Sequence, residues 1–420
     1  MPGFGEFWRF WFWLGCVSFG GPAGQIALMQ QELVDKRRWI DSTRFLHGLN
    51  FAMLLPGPEA QQLATYIGWR LHGTLGGLVA GGLFVLPGAL VLLGLSWLAA
   101  DHGDLVWVAA LFDGVKPVVI AIIAASVWRL GKRTLKGPAP LLLALVAFLG
   151  LYLGHLPFPV LIAGAALIGY GAAKAGKQLF APTGHGVTGD FVPDDRPGDR
   201  SAQRLLRLSL LFAVLLLVPV TATVLLLGRQ PWADIADLFT TSAFVTFGGA
   251  YAVLPFIAER AVETYHWLTP ADMLNGLALA ESTPGPLILV TQYVGFFAGW
   301  NHPGDLSPGM AGLIGAGLTT YVTFLPCFFF IFAGAPYVEA LIHNRAAAGA
   351  LAAITAAVVG VILNLGVVLG EQVLLPGGQA DWVALLVAAI TLTALLRFNL
   401  AVHWLVLAGA AFGLLRLAIG

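Results

Sequence analysis

Twice in this chain an apolar stretch is interrupted by Pro-Gly-Pro, at residues 56–58 and again at 284–286. Proline lacks a backbone donor and pushes the residue before it out of helical geometry, while glycine permits a tight turn. The second proline suits the first turn of a new helix. Each interruption is therefore expected to end one helix and start another. The two lie 228 residues apart, and the spacing recurs: Phe19-Gly20-Gly21 falls on Phe247-Gly248-Gly249, Trp39 on Trp267, and Gly48-Leu49 on Gly276-Leu277. Of the 42 positions from Val17 to Pro58, 13 are identical to their partners at that offset. Beyond, a slip of one residue brings Tyr66-Ile67-Gly68 onto Tyr293-Val294-Gly295. Two homologous halves broken in matching places are the pattern of secondary transporters.

Composition sets the solvent. Of 420 residues 58% are hydrophobic and 10% charged, against about 25% charged in a soluble domain. Runs such as Leu75–Ala100, Leu205–Leu227 and Ala346–Val368 reach the ~20 apolar residues that cross a bilayer. The expected fold is an all-α polytopic membrane protein of about 10–13 membrane segments, some of them broken or re-entrant. Residues 1–175 form the first repeat, 176–204 a polar cytoplasmic linker, 205–230 a connecting transmembrane helix and 231–420 the second repeat. The linker is too short and too rich in Gly, Pro, Asp and Arg to build a core. Net charge is zero, which gives no global field for nucleic acid. Cys16 and Cys327 lie far apart in apolar segments, so no disulfide framework is expected. The start of the chain lacks the basic region and cleavage site of a signal peptide and reads as the first membrane segment. The histidines have no metal-ligand spacing and no P-loop is present, so neither a metal nor ATP is expected as cofactor.

Basic loops stay cytoplasmic. In the first half these are Lys36–Arg38, Arg70, Arg129–Lys136 and Lys174–Lys177; in the second, His343–Arg345 and Arg397. Threading the segments between them puts helix 205–228 as an odd crossing that turns the second repeat over, giving an inverted pair. Basic residues flank segment 45–70 on both sides, so that segment enters and returns. Glu32 to Arg38 reads as a solvated interfacial piece anchored by Trp39.

Helix ends inside a membrane must be buried in protein or face water. A helix N-terminus there, with unpartnered N–H groups and the positive dipole end, suits an anion. Four such ends around one pseudo-two-fold axis suit a tetrahedral oxyanion. The expected binding residues are Gly20, Gly21, Pro22, Pro56, Gly57 and Pro58, with Gly248, Gly249, Pro284, Gly285 and Pro286. Small polar donors stand nearby: Ser18, Gln61, Gln62 and Thr65 in one half, Thr246, Ser282, Thr283, Thr291 and Gln292 in the other. Glu59 and Glu281 are candidates to couple protons, although Glu59 also suits dipole compensation in a first helical turn. Lys116 either attracts the anion, snorkels to the interface or pairs with Asp113. No arginine lies in the sequence around the breaks, which counts against a membrane-embedded hydrolase acting on lipid phosphate.

These motifs carry a resemblance. "SFGGPAGQIALMQQELVDKRRWI" with "LNFAMLLPGPEAQQLATYIGWR", and "FVTFGGAYAVLPFIAERAV" with "ESTPGPLILVTQYVGFFAG", resemble the two domains of the long form of the chromate ion transporter family. The likeness covers residues 8–175 and 235–415. It implies a multi-pass inner-membrane exporter of chromate, not an enzyme, with sulfate as competitor because it shares shape and charge. The residues it singles out are the paired Gly-Gly and Pro-Gly-Pro positions, except that Ala250 stands where the first half has Pro22. An anion channel, or uptake of sulfate or molybdate, would use the same site. Homodimerisation is compatible with such a fold, and nothing in the sequence specifies its face.

Overall fold

A computed structural model describes residues 2–19, 21–103, 105–177, 179–180, 201–337 and 344–419. Gly20, His343 and most of the expected linker fall outside these residues. Among the described residues the chain is helical throughout, without strands. The first half comprises α1 (Phe4–Val17), α2 (Gly21–Gln30), α3 (Ser42–Leu54), α4 (Glu59–His102), α5 (Val106–Thr134), α6 (Pro138–Tyr152) and α7 (Phe158–Lys174). After α8 (Ala202–Leu227) follow α9 (Trp232–Val245), α10 (Leu254–Ala258), α11 (Pro270–Ser282), α12 (Val290–Asn301) and α13 (Pro308–Gly334). The chain ends with α14 (Arg345–Leu374), α15 (Trp382–Arg397) and α16 (Val402–Ile419). Among the described residues six helices (α4, α5, α8, α13, α14 and α16) are long and apolar enough to cross a membrane, and α6, α7 and α15 are shorter apolar helices.

The 228-residue offset reappears in the backbone. α1 and α9 start and stop at matching positions, as do α3 and α11. A six-residue π-helical turn spans Gln31–Lys36 and another spans Glu259–Thr264. Each is followed by a left-handed non-glycine residue, Arg38 (φ 51°) and His266 (φ 52°). Asp41 then caps α3 through the Arg44 N–H, and Thr269 caps α11 through the Asp272 N–H. These side chains satisfy one of the donors that every helix start leaves open. The first π turn is less solvated than its charge suggests. Glu32 is buried and pairs with Lys36 at 2.6 Å and with Arg37 at 3.6 Å.

Both Pro-Gly-Pro interruptions fold the chain back. A Cβ on Gly48 of α3 would sit 2.5 Å from the Tyr66 ring of α4, and one on Gly276 of α11 would sit 2.4 Å from the Tyr293 ring of α12. Residues eight or nine positions before and after each central glycine thus lie side by side, and the arms are hairpins. We predict that Gly276→Val forces these arms apart and costs about 1–3 kcal/mol, the range for overpacking. The check is a lowered thermal midpoint in detergent; an unchanged midpoint would mean that Tyr293 swings aside freely.

The return arm of the first hairpin does not run straight on. At His72 and Gly73 α4 leaves helical geometry, with Gly73 at φ 66°, and the chain reverses. Gly68 and Gly76 then approach so closely that a Cβ on Gly68 would sit 2.4 Å from the Gly76 carbonyl oxygen. In the second half Gly315 approaches the Gly295 carbonyl in the same way, at 2.1 Å. Small residues let membrane helices pack backbone to backbone. The same device joins the halves: Gly114 of α5 meets Gly409 of α16, and Gly169 of α7 meets Gly349 of α14. α8 lies at the edge, against α9 and α13, with no fully buried residue: Leu216, Val220 and Val224 pack inward, while Leu210, Leu211, Val214, Leu217 and Val218 face outward as lipid requires.

Candidate functional site

The four breaks meet in two reciprocal pairs. The Gly57 N–H donates to the Thr246 carbonyl at 2.7 Å, and the Gly285 N–H donates to the Ser18 carbonyl at 2.9 Å. Gly57 matches Gly285, and Ser18 matches Thr246, at the 228-residue offset. Each Pro-Gly-Pro of one half is thus latched to the Gly-Gly break of the other. Gln25 reinforces one latch, its Nε2 donating to the Gly285 carbonyl at 2.6 Å and to the Ser18 carbonyl at 3.2 Å. Gln62 braces the other break, donating to the Pro56 carbonyl at 2.6 Å. Gly57 and Gly285 have φ of 119° and 93°, a region that L side chains avoid.

This changes the expected chemistry of the Pro-Gly-Pro turns. Their glycine N–H groups do not point to a ligand, because a buried donor takes the nearest acceptor and the partner break supplies one. Most donors of the expected polar shell are spent in a similar way, the buried Ser18 hydroxyl being an exception with no partner among the described residues. Gln61 donates to Thr65, whose hydroxyl returns to the Gln61 carbonyl. Ser282, Thr283 and Thr291 bond carbonyls of their own segments, Thr246 bonds Ser242, and Gln292 reaches the Ala89 carbonyl. Pro58, Pro284 and Pro286 are buried in the same packed region.

The open space lies beside the latches. A cavity of about 690 Å³ is walled by Gly21 and Pro22 at the start of α2, by Gly248, Gly249 and Tyr251, and by both carboxylates, Glu59 and Glu281. α5 contributes Ile122, Ala125, Ser126, Arg129 and Arg133, and α3, α14, Leu395 and Val402 supply apolar groups to the rest of the wall. Glu281 is 6% exposed and accepts a hydrogen bond from the Tyr251 hydroxyl. Tyr251 also faces Ser126 and Arg129, while Arg133 is the cation within electrostatic reach of Glu59. Arg129 is held in place by donating to the Leu395 carbonyl at 2.7 Å.

Two arginines therefore stand in the space where the sequence around the breaks shows none. The absence of arginine is corrected, and with it the argument it supplied against a hydrolase. The signal was present in another form. Ser126, Arg129 and Arg133 are spaced three and four apart, one face of a helix, yet as a basic cluster ending an apolar run they read as a cytoplasmic loop. Lys116, one end of α5 away, is not part of this cavity. It bonds Asp113 at 2.6 Å and lines a separate cavity with Arg416 and Asp381.

The pocket thus combines two guanidinium groups, two carboxylates, a hydroxyl pair and glycine backbone. With both carboxylates ionised its formal charge balances, and an entering dianion would meet both arginines. Planar guanidinium forks match the oxygens of an oxyanion.

Comparisons with known proteins agree with this chemistry. The sequence model of the chromate transporter family matches residues 5–170 and 233–414, one block in each half. A chromate transport protein of Cupriavidus metallidurans is 30% identical over 405 residues, which is 95% of this chain and 89% of the relative. One from Pseudomonas aeruginosa is 33% identical over 368 residues, 86% of this chain and 80% of the relative. An uncharacterized transporter of Bacillus subtilis is 35% identical over 140 residues, a third of this chain but 71% of its own length. No solved structure matches. With both halves matched and relatives of this identity covering most of its length, the chain belongs to the chromate transporter family.

Proposed function

We propose that this protein carries chromate out of the cytoplasm across the inner membrane through the cavity walled by Arg129, Arg133, Glu59 and Glu281. The observation that carries the reading is this charge-balanced pocket beside the crossing of four broken segments, the usual place of a transporter site. The inverted disposition of the two repeats is read from the basic loops, and the reciprocal Gly57–Thr246 and Gly285–Ser18 bonds support a two-fold relation between them. Residues 1–175 and 231–420 are the two repeats on this reading. The half-length Bacillus relative supports a single repeat as a unit. Sulfate has the geometry and charge of chromate and competes for the same guanidinium groups.

A negative-inside potential favours exit of an anion by about 2.3 kcal/mol per charge per 100 mV. Charge balance in the pocket links the anion to protons. Adding a dianion to two ionised carboxylates leaves an excess of negative charge, and protonating Glu281 relieves it. Anion affinity therefore rises as pH falls, and a dianion that leaves with one proton still moves one net charge outward. We predict that Glu281→Gln, which fixes the uncharged state, keeps chromate binding and removes most of its dependence on pH. Competition by sulfate, measured as chromate counterflow in proteoliposomes at several pH values, tests both statements. Counterflow blind to sulfate, or a Gln variant with the parent's pH profile, would refute them in turn.

A further inference from the structure

The cavity at Arg129 has a mate. A second cavity, of about 310 Å³, is walled by Pro255 and Ala258, by Leu151 and Phe158, and by the stretch of α14 from Asn364 to Gln372. Pro255 and Ala258 match Ala27 and Gln30 of the larger cavity at the 228-residue offset. Leu151 and Phe158 match its Leu395 and Val402 at a common offset of 244. Along α14, Asn364, Leu365, Val368, Leu369 and Gln372 reproduce the spacing of Ala125, Ser126, Arg129, Leu130 and Arg133 on α5. The repeat has thus built the same vestibule twice, and only the larger one includes Glu59 and Glu281.

The chemistry of the two walls is opposite. Where one has Arg129 and Arg133 the other has Val368 and Gln372. The charged groups of the smaller cavity are Glu259 and Glu263 on the π turn, with His155 beside them, and no Lys or Arg lines it among the described residues. Arg260 does not line the cavity, but it neighbours Glu259 and its guanidinium lies over the ring of the wall residue Phe256, 5.9 Å from the centroid, so one cation stands near the two carboxylates.

We infer that the smaller cavity is the far-side vestibule of the anion path, and that Glu259 and Glu263 weaken anion binding on that side. This rests on the transport reading of the larger cavity. The anion is captured where two arginines meet it and released into a chamber whose carboxylates repel it. Walls of one sign focus potential in a low-dielectric cleft, so two carboxylates there lower both local anion concentration and return capture. Direction still follows the gradients; the asymmetry sets half-saturation on each side.

The test is zero-trans chromate flux in vesicles of known protein orientation, with the wild type, the Glu259→Gln/Glu263→Gln protein and Glu263→Lys. Protein eluting as a single species at the parent's thermal midpoint serves as the folding control. Wild-type KM is expected to be higher on the Glu259 side than on the Arg129 side. Neutralisation is expected to lower KM on the Glu259 side by about threefold to tenfold, the lysine variant further, and added salt to shrink the difference. KM on the Arg129 side should stay as it was. Unchanged KM on both sides, or equal changes on both, would overturn the inference while leaving transport standing. Absence of wild-type flux in either orientation would remove the transport reading, and the vestibule with it.

Discussion

Replacing Arg129 with glutamine lowers chromate flux by about tenfold to a hundredfold, because a charge-assisted hydrogen bond contributes roughly 1.5–3 kcal/mol. Arg129 faces the Tyr251–Glu281 pair from α5, and its bond to the Leu395 carbonyl holds it there. A lysine restores charge without the planar fork or that anchoring geometry, so Arg129→Lys is expected to recover only part of the flux. The parallel change Arg133→Gln loses the cation beside Glu59, one helical turn further along α5 and away from the Tyr251–Glu281 pair, and its effect should be smaller. Initial rates at saturating and subsaturating chromate separate the cases. Loss at Arg129 appears mainly as raised KM if the group binds the anion. A variant with the parent's KM and rate would show that the anion passes elsewhere.

The second large effect belongs to the latches. Gly57 lies at φ 119°, and a Cβ there would sit 2.9 Å from the Gln62 amide nitrogen and 3.0 Å from the Cys327 sulfur. A left-handed conformation costs an L-residue roughly 1–2 kcal/mol, and crowding adds more. Gly57→Val is therefore expected to destabilise the protein by about 3 kcal/mol and to disturb the Gly57–Thr246 bond. Gly285→Val disturbs its mate, the bond to Ser18, where Leu289 at 3.1 Å is the nearest neighbour and a flexible one. It should be the milder of the two. Thermal midpoints of the two purified variants against wild type give the comparison, and equal midpoints for all three would mean that the breaks are not held by these bonds.

The sequence carried the repeat because repeats are linear. The matched Pro-Gly-Pro and Gly-Gly positions located the helix breaks and, with the flanking basic residues, the first hairpin; the two π turns and the pairing of Gly48 with Tyr66 and Gly276 with Tyr293 are visible only in the structure. It carried both acidic groups of the cavity, since a carboxylate beside a break in an apolar segment stands out, although for Glu59 dipole compensation in a first helical turn explained it equally well. It did not carry the destination of the donors. Whether a Gly57 N–H faces an anion or the Thr246 carbonyl depends on the other half of the chain, 189 residues further on by sequence. The side chains of Gln61, Thr65, Ser282 and Thr283 look like ligand donors in the one-letter string, but the three hydroxyls bond carbonyls of their own segments and the Gln61 amide donates to Thr65. Arg129 and Arg133 were hidden for the converse reason. A basic cluster at the end of an apolar helix is the ordinary mark of the cytoplasmic edge, and only packing of α5 against the breaks turns that edge into a cavity wall. Lys116 shows the same limit, since its partner Asp113 was legible at i,i+3 but the cavity it lines was not.

The most direct test of the account is saturable chromate uptake or release by proteoliposomes holding the purified protein, with an imposed potential and with sulfate as competitor. The account predicts flux above empty liposomes that saturates, moves the anion toward the positive side, falls with added sulfate and is largely lost in Arg129→Gln. Flux no greater than in empty liposomes, with the protein folded and present in both orientations, would contradict it.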